Sequence, residues 1–154
     1  MLFVLYFGCD TKNYRTKDSI KLIEYVFQNY EYLGLENLIK TNFDLWKENN
    51  LKNFKIDKGL SNNIDMYNSK LDYSSIPIKK EDKDKINIVI NIETNLQAPV
   101  YENSKIGEIS VYCNSEKLLG VNVLSCFYIP KKNSYNYFIE ILKDYSNLLN
   151  NFKI

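Results

Sequence analysis

The sequence predicts an α+β fold. A mainly antiparallel β domain at 33–130 is preceded by a strand–helix unit at 1–32 and followed by an amphipathic helix at 131–154. Three observations carry this. Ile86, Ile88, Ile90 and Ile92 alternate with Asn87, Val89, Asn91 and Glu93, the period of two expected of a half-buried strand. Two further alternating runs, Ile106 to Cys113 and Lys117 to Ser125, flank the polar turn Asn114-Ser115-Glu116 and read as a hairpin. At both ends of the chain the apolar spacing changes to three and four residues, the period of a helix with one apolar face.

In chain order, the continuous apolar run 2–7 suits a strand covered on both faces. Cys9 to Arg15 is polar and turn-like. Thr16 can cap a helix running to Tyr30, with Asp18 in its first turn and Ile20, Ile23, Val26, Phe27 and Tyr30 on one face. Between 33 and 80 short alternations at Leu35 to Thr41, Leu51 to Ile56, Asn63 to Tyr67 and Tyr73 to Ile78 suggest a small all-β module. Asp57-Lys58-Gly59 and Asn68-Ser69-Lys70 supply the turn chemistry between them, and Trp46 is expected in the core. Lys79 to Lys85 is a mixed charge run and reads as a solvated connector. Ala98-Pro99 interrupts the ladder between the first two strands of the β core. In the tail, Phe138, Ile141, Leu142, Tyr145, Leu148, Leu149 and Phe152 form a wide apolar stripe opposite Glu140, Lys143, Asp144 and Asn147. Such a helix, flanked by Lys131, Lys132 and Lys153, suits a membrane surface, its own domain or a second copy of the chain.

Composition narrows the function classes. Hydrophobic residues at 45% supply a packed core, and a net charge of +1 argues against a nucleic-acid binder. Histidine is absent, and Cys9, Cys113 and Cys126 lack zinc-site spacing, so no metal or cofactor site is expected. A disulfide between Cys113 and Cys126 is conceivable on sequence grounds alone. No run approaches the ~18 apolar residues of a spanning helix. The opening MLFVLYFGC has the look of an export signal but lacks its positive start.

The run from Asn95 to Ser125, with Ala98-Pro99, the polar turn Glu102 to Lys105, Ile106-Gly107 and the hairpin at Asn114, resembles the C-terminal β domain of the D-alanyl-D-alanine carboxypeptidases, the low-molecular-mass penicillin-binding proteins. Residues 1–30 are similar to the last strand and last helix of that family's catalytic domain through Gly8, Arg15, Asp18, Lys21-Leu22-Ile23 and Tyr25. The resemblance is strongest at 1–30 and 85–125. It implies a serine-type hydrolase acting on peptidoglycan, a tail helix anchored to the outer face of the cytoplasmic membrane in bacteria, and no cofactor.

The chemistry of that family is missing from this chain. Its Ser-x-x-Lys pair needs a lysine one helical turn after the nucleophile, and no serine here has a lysine three positions on. There is no Lys-Thr-Gly or Lys-Ser-Gly, and Ser61-Asn62-Asn63 fits Ser-x-Asn only as a string, since it follows the elements it should precede. No catalytic residue is therefore expected. The resemblance implies a C-terminal fragment lacking its catalytic domain, serving as stalk and membrane anchor. The alternative is a stand-alone, non-catalytic envelope module that binds a partner protein or a wall polymer; either form could be a homo-oligomer.

Overall fold

The structure, a computed structural model, describes residues 11–151, with side chains through Leu148. The expected strand at 2–7 lies outside the described residues. Three α-helices and eight strands follow in the order α1 (Lys12–Asn29), β1 (Tyr30–Gly34), α2 (Leu35–Asn50), β2 (Lys55–Asp57), β3 (Met66–Asn68), β4 (Ser75–Lys79), β5 (Ile86–Ile92), β6 (Asn95–Gln97), β7 (Lys105–Cys113), β8 (Glu116–Ser125) and α3 (Ser134–Asn151).

The alternating runs form the main sheet, an antiparallel four-stranded array in the order β3-β8-β7-β5. Its register places Ile90 opposite Ile109, and Ile109 opposite Val121. Every second residue of β5 faces inward, from half-buried Ile86 to buried Ile92. The hairpin turn is one residue tighter than the sequence suggests, because Glu116 pairs with Cys113. Only Asn114 and Ser115 remain in the turn, with φ of 49° and 70°. Two consecutive left-handed residues make the primed turn whose twist matches antiparallel strands, and asparagine enters that region readily. β6 ends at Gln97, just ahead of Pro99, and Val100 then forms an isolated bridge to Ile129.

Two smaller pairs complete the β structure of the described residues: β1 with β4, antiparallel, and β2 with β6, parallel. Residue 32, where the sequence reading ends its first segment, lies in the middle of β1, opposite Pro77. The charged run Lys80–Lys85 forms a 3-10 turn. Asp82 there accepts hydrogen bonds from Lys85 Nζ (2.7 Å) and Asn114 Nδ2 (2.9 Å), tying the turn to the hairpin tip.

Two expectations are corrected. The alternation at Leu35 to Thr41 is not a strand but the start of α2. Over seven residues the two periods cannot be separated. Over sixteen, Leu35, Ile39 and Phe43 recur every four residues and are all buried, with Trp46 partly buried beyond them. They join Met66, Ile109, Val111, Val121 and Val123 in one core cluster. Trp46 meets Phe54 edge-on at 6.1 Å, so its core assignment holds. The second correction is the start of α1. Thr11, in extended conformation, is the cap that accepts from Tyr14 N, while Thr16 Oγ1 donates to Lys12 O inside the helix. Asp18 consequently lies beyond the first turn.

Gly107 has a steric reason to be glycine. It sits at a register irregularity in β7, and a Cβ there would stand 2.6 Å from Asn91 O and 2.7 Å from Ile92 Cα. Both are backbone atoms of the neighbouring strand, so no rotamer change relieves the clash. Gly107→Ala is expected to destabilise the domain by about 2 kcal/mol in urea unfolding, with the slope unchanged; an unaltered midpoint would contradict this packing.

Candidate functional site

The most exposed chemistry among the described residues is apolar and lies on the terminal helices. α3 begins with reciprocal capping: Asn136 N donates to Asn133 Oδ1 (2.9 Å) and Asn133 N to Asn136 Oδ1 (3.0 Å). Lys132 Nζ pairs with Glu140 at 2.6 Å, holding the first two turns to the segment that leaves the β domain. Beyond that, the helix has little packing. Of the sequence-predicted residues, Phe138, Ile141, Leu142, Tyr145 and Leu148 are 47–66% exposed. The side chains of Leu149 and Phe152 lie outside the described residues. The described part of the apolar stripe is therefore not buried on its own domain. At ~1.5 Å rise per residue it is about 27 Å long, and no described helix is long and apolar enough to cross a membrane.

α1 is similarly open. None of its residues is buried, and Tyr14, Ile20, Leu22, Tyr25 and Phe27 are exposed. Of the face read from the sequence, Ile23, Val26 and Tyr30 are half-buried, whereas Ile20 and Phe27 point to solvent. Lys80 Nζ donates to Phe27 O (2.9 Å) near the end of the helix, where carbonyls lack helical partners.

The β domain offers no nucleophile–base arrangement among the described residues. Cys113 and Cys126 are free thiols, not the disulfide that sequence alone leaves open. Burial, reinforced by Asp65, pushes the Cys126 thiol up from its usual range, the opposite of activation. No cluster of three or more acidic, cysteine or histidine side chains that could hold a metal occurs among the described residues. A shallow groove of about 750 Å³ beside β2 and β6 is lined by Lys55, Asp57, Lys58, Glu93 and Lys132, a mixed set of charges with no polarised hydroxyl or thiol.

One charge cluster on the main sheet is well organised. Glu108 on β7 pairs with Lys117, accepts from Lys105 Nζ (3.1 Å) and accepts from Ser110 Oγ (3.2 Å). These hydrogen bonds, Lys117 first, hold its carboxyl at about 2, well below the usual carboxylate range. The cluster is a staple across the β7–β8 hairpin, not a proton-transfer site.

A feature missed in the sequence lies where Val100 and Ile129 bridge. Tyr101 and Tyr128 stand beside each other with ring centres 5.6 Å apart, both exposed; Phe127, the residue before Tyr128 in the chain, is exposed as well. The available signal was the alternation of buried Val100 and Ile129 with their outward tyrosine neighbours.

The family model described as penicillin-binding protein 5, C-terminal domain, matches residues 41–126, more than half of the chain. The chain belongs to this family. No curated protein matches it. Among solved structures it is similar to penicillin-binding protein 5 from Haemophilus influenzae, at 18% identity and TM-score 0.41, over 79% of this chain and 32% of that one. It is also similar to the D-alanyl-D-alanine carboxypeptidase DacD from Francisella tularensis, at 16% identity and TM-score 0.45, over 81% and 29%. The chain thus spans about a third of the length of the solved structures it matches. The family match takes in most of α2 and the whole main sheet, including the middle stretch where the sequence resemblance is weakest. It excludes α1 and α3.

The Glu108 staple has a pH consequence. Its carboxyl is depressed in the folded state, so its contribution is complete above the ordinary carboxyl value of 4.5 and is lost as pH falls toward about 2. Solvent exposure and salt reduce the size of the effect. At low ionic strength the parent should lose more stability between those two pH values than Glu108→Gln does; parallel acid limbs in the two proteins would contradict the assignment.

Proposed function

We propose that this chain is the stalk and membrane-anchoring portion of a serine-type D-alanyl-D-alanine carboxypeptidase that trims peptidoglycan on the outer face of a bacterial cytoplasmic membrane. The family membership supports the parent activity. The absence of Ser-x-x-Lys and Lys-Thr-Gly from the chain supports a non-catalytic role for this portion. In this reading a catalytic domain is supplied ahead of the β domain, α1 packs against it, and the β domain sets its height above the bilayer.

The observation that carries the anchor is the open stripe of α3. A capped helix with Phe138, Ile141, Leu142, Tyr145 and Leu148 all in solvent would leave a large apolar surface hydrated. Laid in the plane of an interface, it places those side chains at the acyl boundary, with Tyr135 and Tyr145 suited to the headgroup level. Glu140, Lys143 and Asp144 leave the helix itself with a net negative charge. The driving force is therefore apolar burial rather than attraction to anionic lipid. With Glu140, Lys143 and Asp144 in its middle the helix is not apolar enough to cross a bilayer, so in this reading it lies on the membrane.

Co-sedimentation with phosphatidylcholine vesicles, with and without phosphatidylglycerol, tests this. Binding should survive raised salt. Leu142→Asp combined with Leu148→Asp should weaken it roughly tenfold or more while leaving thermal unfolding unchanged, because both residues are exposed. Undiminished binding by the double variant would sink the anchor. Separately, the chain should take no covalent label from a fluorescent penicillin; a labelled band would mean that an acylable serine is present.

A further inference from the structure

We infer that the aromatic platform formed by Tyr101 and Tyr128 is a binding site for a glycan chain. The two rings are carried by short segments, 100–104 leading into β7 and 125–129 leaving β8, which run side by side at one end of the main sheet. Paired backbone hydrogen bonds join Val100 and Ile129, N–H to carbonyl in both directions (3.0 and 2.8 Å). Ser125 N donates to Ser104 O (3.0 Å), Asn103 N to Ser125 O (2.9 Å) and Cys126 N to Asp65 O (2.9 Å). Ser125 is fully buried, and its Oγ donates to Phe127 O at 2.9 Å. Tyr67 Oη donates to Asn103 Oδ1 at 2.6 Å, fixing the turn from the β3 side. The loop pair is therefore set before any ligand arrives, which reduces the ordering cost of binding.

This rigidity is spent on rings that the core does not use. Val100 and Ile129 are 6% and 4% exposed, yet Tyr101, Phe127 and Tyr128 are 63%, 60% and 52% exposed. Tyr101 and Tyr128 are tilted by 33° with centres 5.6 Å apart, so they present neighbouring surfaces instead of covering one another. The tyrosines on α1 and α3 lie along helices. Tyr101 and Tyr128 instead meet across a hydrogen-bonded platform.

The chemistry around the rings selects the occupant. A pyranose has a face of C–H bonds, which settles on an aromatic ring, and a rim of hydroxyls, which needs donors and acceptors. The platform supplies both: phenol hydroxyls from Tyr101 and Tyr128, the Asn103 amide and the Glu102 carboxylate in the turn. An anionic lipid surface or a phosphate would require cations. The segments 100–104 and 125–129 contain none, and the adjoining Lys105 is held by Glu108 at 3.1 Å. A polymer of sugar rings, with successive rings meeting adjacent aromatic surfaces, fits this pattern best. The inference rests on the envelope placement proposed above, where such polymers are met, but it needs nothing from α3.

The test uses the full chain in two separate assays. In the first, retention on insoluble chitin and on purified peptidoglycan sacculi is measured, and a soluble N-acetylglucosamine hexamer is titrated by calorimetry. The parent should bind, Tyr101→Ala and Tyr128→Ala should each weaken binding roughly tenfold, and Tyr128→Phe should retain most of it because the ring remains. Circular dichroism of each variant establishes that the fold is kept, which exposed side chains allow. In the second, the same variants are sedimented with phosphatidylcholine vesicles. Glycan binding lost in the tyrosine variants with vesicle binding intact is the expected result, and the Leu142→Asp, Leu148→Asp chain should show the reverse. A parent that ignores all three glycans, or variants that bind them as well as the parent does, would overturn the site. Loss of vesicle binding in Tyr101→Ala with no glycan binding by the parent would reassign the platform to the membrane. Failure of α3 in the vesicle assay alone would leave the glycan site standing.

Discussion

The fold depends on one contact: the stripe Leu35, Ile39 and Phe43 of α2 packed into the same core as Ile109, Val111, Val121 and Val123 of the central hairpin. An antiparallel sheet of this size has two faces, each of which can take cover from another element. α2 closes one of them. It is linked directly to β1, which pairs with β4, and β4 leads through the charged turn into β5. The helix that caps the core and the strand that borders it are thus fastened by the same short connection. Glu31 and Lys83 reinforce it at 2.9 Å, though an ion pair this exposed contributes little by itself.

Once that core is satisfied, the chain has apolar side chains left over, and they are concentrated on α1, on α3 and on the aromatic loop pair. The core does not compete for them, because the sheet's inward positions are already filled by β-branched residues and the α2 stripe. The two helices share open apolar faces but differ in how they are joined. α1 runs straight into β1 and is held at its end by Lys80. α3 leaves through Lys131 and Lys132 and is fixed mainly by its own cap and by one ion pair. In the proposed reading these are the two ends of a stalk: one meets protein, the other meets lipid.

Much of this was legible in the residues. The isoleucine alternation at Ile86 to Ile92 places β5 to the residue, because β-branched side chains at period two have no good helical alternative. The hairpin is equally clear, since Asn114-Ser115 has turn chemistry between alternating runs. α2 is not legible from its first residues: Leu35 to Thr41 is too short to separate a period of two from one of 3.6, and the deciding residues, Phe43 and Trp46, come later. The family resemblance was readable through Ala98-Pro99 and Ile106-Gly107, and Gly107 has a local cause in the close approach of Asn91 and Ile92. The stripe on α3 was readable as a stripe, but whether it would be buried depended on tertiary packing that no periodicity encodes. The aromatic platform was invisible for a related reason. Tyr101 and Tyr128 are 27 positions apart in the sequence, and long-range pairing of their two segments, the Val100–Ile129 bridge among it, brings them together.

The central claim is that α3 stands outside the folded core with its apolar face available to a bilayer while the β domain keeps its own structure. Hydrogen–deuterium exchange of the chain, alone and with phosphatidylcholine vesicles, tests it most directly. Without lipid, amides of α2 and of β5, β7 and β8 should exchange slowly and those of α3 quickly; with lipid, α3 alone should become strongly protected. Slow exchange in α3 before lipid is added, or protection that falls on the β domain and leaves α3 unchanged, would contradict the account.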